Sequence, residues 1–591
     1  MTINELSGKR NNEALVRQVF RTLLPIQVLA AATPTLTSLL NGILIGNYLP
    51  QEAMVALGFV APMTLLVSAF GAIISGGARI LCGRYIGRGE TKKLDYAFTA
   101  SLLILAILGV VLTAVGLLAS TRLALIFGAA GDTTAATAEY IRGIALGIIP
   151  TLMFSCLVVF LQMENESGFS LIATLVLAVS VLLYGLINLK FLGASIFGMG
   201  AASSLAQLTA LVFVAVHIAR SKKLMRLDAK GIDRSMVKDL CTLGFPAAFA
   251  MILYSLRNTL LNTIGLKIGG AEAVAALAIL GLAAGPFDAI NVGFGSVVSM
   301  FGSIIIGERD EKLLHGMYRG SLRIGLAIGL IKCAVMIVLA RPMVILFGAE
   351  GSLIGTSAVL FMCYTLCVPF NIVTQVFVGI FQNLGKLRYM NVVYLFSAFI
   401  FPVAAAFGLG NLIGEIGIWL CYGIAEILTV VIFYAVPMIK SRSLKPSFSQ
   451  LVLLDESFSR VPGYSITVNA LENAVNSSEK VTAFCLENGI DSRRAKLCGL
   501  CAEELAVNIV THGFTKTKRK SLSAEIFVNV HEGKIDMRIM DNAPRFDPAV
   551  KLGYPDPDDP CKNIGLRIVA RIADDMEYRS TFGMNVLRVK L

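Results

Sequence analysis

Glu52-Ala-Met-Val-Ala-Leu57 and Glu272-Ala-Val-Ala-Ala-Leu277 are one signature met twice in a single chain. The surroundings of the two copies match as well. Asn41, in Leu-Leu-Asn-Gly upstream of the first copy, pairs with Asn262, in Leu-Leu-Asn-Thr upstream of the second, with an offset of a single residue. Downstream, Ile86-Gly87 with Lys93-Leu94 answers to Ile306-Gly307 with Lys312-Leu313. Leu125-Ile-Phe-Gly-Ala129 answers to Ile345-Leu-Phe-Gly-Ala349, and each is followed at similar distance by a proline (Pro150, Pro369) and a glutamine (Gln162, Gln382). So many pairs in one order mark an internal duplication, with repeats at about 15–220 and 240–438.

Composition says what kind of unit is repeated. The chain is 56% hydrophobic and 15% charged, with a mean hydropathy of +0.74, whereas soluble domains carry about 25% charged residues. Such a chain buries its surplus in lipid. Apolar runs long enough to cross about 30 Å of hydrocarbon as helices lie near 20–45, 55–80, 96–120, 138–162, 169–192, 198–220, 244–266, 274–306, 318–340, 355–382, 390–410 and 414–438. These predict twelve transmembrane helices. Two six-helix halves inserted in one orientation give two lobes related by an axis along the membrane normal, with a cavity between them near the midplane, which is the architecture of an all-α membrane transporter.

The net charge of +12 raises the question of a nucleic-acid partner, and its distribution answers it. Residues 1–440 hold 30 Lys/Arg against 20 Asp/Glu, and residues 441–591 hold 21 against 19. Basic loops of a membrane domain account for the excess, so no nucleic acid is expected. The basic residues crowd alternate connections: Arg84, Arg88, Lys92 and Lys93, then the 220–243 loop, then Arg309 and Lys312, then Lys386 and Arg388, then Lys440, Arg442 and Lys445. Those sides are expected to be cytoplasmic, which predicts a multi-pass plasma-membrane protein with both the N-terminus and the C-terminal segment inside. A polar stretch with Lys9, Arg10, Arg17 and Arg21 leads into a first span too long for a cleavable signal. The scattered cysteines are not a disulfide framework. Cys498 and Cys501 form C-x-x-C on a predicted helix with no partner pair nearby, which reads as packing before metal or redox work.

The doubled six-span pattern, Asn41-Gly-Ile-Leu-Ile-Gly46 with Glu52-Ala-Met-Val-Ala-Leu57, the Ile86-Gly-Arg-Gly-Glu90 loop, and Asn188 followed by Phe197-Gly-Met-Gly-Ala-Ala202 resemble the multidrug and toxic-compound extrusion family over about residues 15–438. The resemblance implies secondary active export of amphipathic, often cationic, small organic compounds, driven by inward flow of Na⁺ or H⁺ as two lobes rock. Many members carry an aspartate where this chain has Asn41. An asparagine hydrogen-bonds but cannot release a proton, so the first-lobe coupling group of those members is missing here.

Ionisable residues at membrane depth face a bundle interior or water, which singles out Arg257, Asp288, Lys332 and Glu426, with Arg142 at the margin of that depth. Arg257 and Asp288, on neighbouring spans, are either cavity and coupling groups or a structural ion pair. Glu426 is either a coupling carboxylate or one satisfied by packing. Asn41 and Asn262 are either cavity-lining or helix–helix glue. The transport cavity is therefore expected at Asn41, Asn262, Arg257, Asp288 and Glu426. Pro25, Pro34, Pro246 and Pro369 are candidate kinks.

From Lys440 the texture changes. Residues 441–454 read as a linker, and 455–591 are enough for one soluble domain. Periodicity predicts a strand at Tyr464–Val468, helices at Leu471–Asn488 and Arg493–His512, a hairpin of strands at Ala524–His531 and Lys534–Met540, a loop at Asp541–Asn563, a helix at Gly565–Ala573, and closing strands at Met576–Arg579 and Val586–Lys590. That is an α/β two-layer sandwich. Glu504, Asn508 and His512 fall at steps of four on one helical face, Asp541-Asn-Ala543 follows a strand, and Asn563-Ile-Gly565-Leu566 opens a helix whose N-terminal amides suit phosphate.

In this order and spacing they resemble the ATP-binding domain of histidine kinases and gyrase, most closely its anti-sigma-factor serine-kinase branch. The resemblance implies ATP with Mg²⁺. Asn508 would ligate the metal, Glu504 would be the general base, and Asp541 would bind the adenine amino group. His512, Ala543, Gly565 and Leu566 would complete the nucleotide site, and 548–565 would be its lid. Ala543, Lys562 and Asn563 stand where the branch carries glycines, which restricts approach of the nucleotide. Thr515-Lys-Thr-Lys-Arg-Lys520 reads as a solvated loop, or more sharply as a headgroup contact.

Two functions of different class follow. One is an exporter regulated by its nucleotide-binding tail. The other is a membrane sensor whose tail acts as a serine/threonine kinase on, or sequesters, an anti-sigma-antagonist-like protein.

Overall fold

The computed structural model describes residues 3–49, 51–88, 90–127, 129, 131–164, 166–221, 226–455, 463–516, 522–531, 533–544, 564–581 and 584–591. Among the described residues, ten helices are long and apolar enough to cross a membrane. They are Val16–Thr37, Met63–Arg88, Lys92–Leu118, Ser167–Phe191, Ile196–Arg220, Arg234–Gly270, Glu272–Glu308, Glu311–Leu346, Leu387–Ile413 and Cys421–Ser441. Two bent pairs, Thr133–Ala145 with Ile148–Met163 and Leu353–Thr365 with Val368–Asn383, supply the fourth and tenth spans, making twelve in all. The bends are 46° and 44° and fall at matching places in the two repeats. Each comes just before a proline, Pro150 or Pro369, whose missing N–H and ring clash interrupt the preceding turn. Pro369 is an expected kink, and Pro150 is its repeat partner. Pro25 and Pro34 lie in a continuous helix, Ile3–Tyr48, and Pro246 within a helix that runs to Gly270, where φ is +66°.

The two lobes close on each other at one end. Gly87, ending the second span, meets Gly307, near the end of the eighth, so closely that a Cβ on either would strike the other helix's backbone. Here the absence of a side chain is what permits the crossing. Around it, Arg79 Nη1 donates to Ser296 Oγ at 3.0 Å, and Arg84 donates to the Asn383 carbonyl. One continuous apolar core joins the first-lobe spans to Phe294–Ile306, Phe377 and Phe381 of the second lobe. The far half of the second lobe, around Leu261, Phe361 and Trp419, forms a separate cluster.

The chain reaches the tail at this closed end. The segment read as a linker holds a one-turn helix, Phe448–Leu451, with a Ser447/Gln450 capping box. Phe448 stacks on His315 of the ninth span, and Leu451 and Val452 are buried in the membrane-domain core.

The tail is an antiparallel sheet of five strands, β1 Gly463–Val468, β2 Ala524–His531, β3 Lys534–Asp541, β4 Asp575–Thr581 and β5 Met584–Lys590. Their spatial order is β1-β2-β3-β5-β4, with helices on one face. The expected strands and helices are present with small changes. Leu471–Asn488 is two pieces, Leu471–Val475 and Ser477–Glu487. Ser492–Asn508 continues as a π-helical turn, Ile509–Gly513, in place of a straight helix to His512. Alternation sorts each strand. Ile526, Val528, Ile535, Met537, Ile539, Leu587 and Val589 pack with the helices, while Met540, Met584 and Val586 join the core of the membrane domain. The second face of the sheet is therefore buried too, against the transporter.

Candidate functional site

Of the five cavity residues expected from the sequence, three, Arg257, Asn262 and Asp288, line one cavity in the second lobe. A cavity of about 340 Å³ is lined by Arg257, Asn258, Leu261 and Asn262 of the seventh span, Leu277 to Asp288 of the eighth, Tyr364 of the tenth and Tyr422 of the twelfth. Glu426 lies one turn beyond Tyr422, behind this wall. Asn41 is elsewhere, with its Nδ2 donating to Ser203 Oγ of the sixth span at 3.0 Å, the helix–helix bond that the alternative reading allows.

The two carboxylates are each held. Asp288 Oδ1 faces the Lys332 ammonium at 3.5 Å, and Asp288 Oδ2 accepts from the Tyr364 hydroxyl at 2.8 Å. Glu426 accepts from Asn371 Nδ2 at 2.7 Å and Thr374 Oγ1 at 2.8 Å. Asp288 therefore takes Lys332, and not Arg257, as its cation. The Lys332 side chain is 1% exposed, so the pair is sealed on that side. Arg257 stacks near Tyr254 and Tyr422, at 5.0 and 5.1 Å from the ring centroids. Tyr364, Asn371 and Thr374 went unread in the sequence because a tyrosine, asparagine or threonine in an apolar run carries no signal of its own.

In the tail, Glu504 and Asn508 sit one turn apart and half-buried on the long helix. The Glu504 carboxylate packs directly on Gly565, the second residue of the helix Ile564–Ile572, with Leu566 buried next to it. Asp541 ends β3 on the helix-facing side of the sheet. Its Oδ1 accepts from the Ala543 N–H and from Asn585 Nδ2, both at 2.9 Å. Burial pushes the Asp541 carboxyl above the usual carboxylate value, against these two hydrogen bonds. Among the described residues its Oδ2 has no donor, which leaves an acceptor for an amino group. Ala543 is buried against Gly513, and His512 is exposed in the π-helical turn. Lys562, Asn563 and nearly all of the 548–565 lid lie outside the described residues, as does most of the Thr515–Lys520 run. Cys498 and Cys501 are buried in the tail core, and no group of His, Cys, Asp or Glu able to hold a metal occurs among the described residues. A lone Asn508 ligand is compatible with Mg²⁺ held mainly by a nucleotide's phosphates.

The opposite face of the sheet makes an interface that the sequence did not announce. Arg538 of β3 pairs with Glu308 at the end of the eighth span and lies 3.4 Å from Asp310 and 3.8 Å from Glu525 of β2. All four side chains are almost fully buried. Burial lowers the Arg538 guanidinium to about 9 and raises Asp310 to about 6. On the first-lobe side, Arg588 Nη1 donates to the Gly87 carbonyl at 3.0 Å, Arg579 approaches Glu164 at 3.6 Å, and Asn542 Nδ2 donates to Gln18 Oε1 at 2.8 Å. A small cavity of about 90 Å³ remains between sheet and spans. The available clue was charge at alternate strand positions, Glu525, Asp536, Arg538, Glu577, Arg579 and Arg588, which reads equally well as a solvated face.

Comparison with known proteins agrees with this geometry. The MatE family matches residues 25–187 and 246–408, one match per repeat, and a histidine kinase-like ATPase domain matches 468–591. The chain is 21% identical over 442 residues to the probable multidrug resistance protein YoeA of Bacillus subtilis (strain 168), covering 73% of this chain and 95% of that one. A crystal structure of MATE in complex with MaL6 superposes with a TM-score of 0.66 at 20% identity, covering 75% of this chain and 99% of that one. The outward-facing conformation of a multidrug resistance MATE family transporter of the MOP superfamily superposes with a TM-score of 0.66 at 19% identity and the same coverage. With both repeats matched, twelve spans in two lobes and the superposition over its whole membrane part, the chain belongs to the MATE transporter family and carries a histidine kinase-like ATPase domain at its C-terminal end.

Proposed function

We propose that the chain exports small amphipathic organic compounds across the plasma membrane in exchange for inward-moving Na⁺ or H⁺, and that its tail is a cytoplasmic nucleotide-responsive brake on that exchange. The observation that carries this reading is the sheet face of the tail, bonded at once to Gly87, Glu164 and Gln18 of the first lobe and to Glu308 and Asp310 of the second. Alternating access requires the lobes to part at this end. A domain attached to both opposes that parting.

Coupling to nucleotide has a short route. Asp541, the residue suited to an adenine amino group, is followed directly by Asn542, which is bonded to Gln18 of the first helix. Asn508 would hold Mg²⁺, and the helix N-terminus at Gly565 would face the phosphates. Glu504 against Gly565, one turn from Asn508, also favours the second reading. In it the tail phosphorylates an anti-sigma-antagonist-like protein with Glu504 as base.

The exporter reading is tested by dye accumulation. Cells expressing the full chain should retain less of at least one amphipathic dye than cells without it, and collapse of the proton and sodium gradients should erase the difference. Equal retention across a broad panel, with or without gradients, removes it.

A further inference from the structure

We infer that the second-lobe cavity receives an organic anion, and that Arg257 holds its charged group. This rests on the exporter reading for transport and names the substrate class of that same site.

Most polar groups around the cavity already have partners. Arg257 and Asp288 are the charged side chains on the cavity wall. Asp288 is neutralised by buried Lys332 and hydrogen-bonded by Tyr364. Glu426, behind the wall, is bonded by Asn371 and Thr374. The Arg257 guanidinium has no such partner. Its Nε and Nη2 share one neutral acceptor, Asn258 Oδ1, at 3.3 and 3.1 Å, and no carboxylate among the described residues lies within ion-pair distance. Of the two charges on the cavity wall itself, the one without an ionic partner is therefore positive.

A guanidinium at membrane depth is stable only beside water or an anion. Tyr254 and Tyr422 flank the guanidinium, and with Nε and Nη2 on Asn258 the Nη1/Nη2 end is left for an acceptor. That fork matches a carboxylate or sulfonate geometrically. Leu261, Leu277, Leu280 and Ala284 offer the other end of the ligand an apolar wall, and the volume is in the range of small-molecule pockets. A cationic compound fits poorly, since it would sit beside Arg257 or would have to displace Lys332 from Asp288.

The test uses the purified full chain, with fluorescein as the anionic probe and ethidium as the cationic one. Binding is followed by fluorescence anisotropy in detergent and transport in proteoliposomes. Fluorescein should bind more tightly than ethidium. Arg257→Gln should weaken fluorescein binding by about 10–100-fold, the loss expected for a hydrogen bond to a charged group, and Arg257→Lys should restore part of it. Arg257→Glu should reverse the preference. Fluorescein binding lost in Arg257→Gln, with neither dye transported, upholds the anion site and counts against the exporter reading, which the broad dye panel then decides. Ethidium bound and transported in preference, with Arg257→Gln leaving both dyes unchanged, overturns the anion site and leaves the exporter standing.

Discussion

At residue scale the tail offers the sharpest contrast between neighbours. Glu504 and Asn508 share one helical face, yet the proposed nucleotide site gives them different roles, general base and metal ligand. In the full chain, Asn508→Ala is expected to weaken Mg-ATP binding. Glu504→Gln keeps shape and hydrogen bonding, so binding should survive while any phosphoryl transfer falls by about 10²–10⁴-fold, the range for a general base. Calorimetry with and without Mg²⁺ separates the two, and equal loss of binding in both variants contradicts the assignment. Asp541→Ala, which removes the acceptor at the end of β3, should abolish preference for ATP over GTP in the same assay. Single residues were the least legible part of the sequence. Arg257, Asp288 and Glu426 stand out because charge in an apolar run is conspicuous, but which of them pair is a matter of helix rotation. Lys332 and Asp288 meet across 44 positions, a contact that no spacing rule predicts.

At the scale of elements the repeat did more. Period and length alone placed all twelve spans, and the matched Pro150 and Pro369 explain why the fourth and tenth are broken in the same way. The tail strands were also legible, because alternation is strict. What alternation cannot tell is whether a charged face meets water or protein. Here it meets protein, and the consequence is measurable. One guanidinium serves three buried carboxylates, so Arg538→Ala leaves them without their cation at a cost on the order of 3–5 kcal/mol. Spin labels on Lys534 of the tail and Arg319 of the ninth span should report one narrow distance in the parent chain and a broad one in this variant. An unchanged distribution would show that Arg538 does not hold the tail.

The same cluster sets a pH dependence. Burial in the docked state raises Asp310 from 3.8 to about 6 and raises Glu525 well above its ordinary value. Groups whose docked value exceeds their free value take up protons on docking. Docking is therefore favoured as pH falls through about 6 and opposed as it rises above. The narrow distance population should grow between pH 8 and pH 5.5, and a decline would reverse the account of the cluster.

At the scale of the whole molecule the lobes are closed at the tail-bearing end, through Gly87 and Gly307, and the tail lies across that closure. The duplication and the two-part organisation were readable because both leave marks along the chain. The docking was not, since it joins residues such as Asn542 and Gln18 that lie 524 positions apart. If the tail is a brake, releasing it frees the transporter. The direct measurement is the initial rate of transport in proteoliposomes of the full chain, of Arg538→Ala and of residues 1–445, each with and without Mg-ATP on the tail side. The account predicts faster transport by the truncated chain and by Arg538→Ala than by the full chain, and a nucleotide-dependent rate in the full chain that the truncated chain lacks. Equal rates in all three, indifferent to nucleotide, would contradict it.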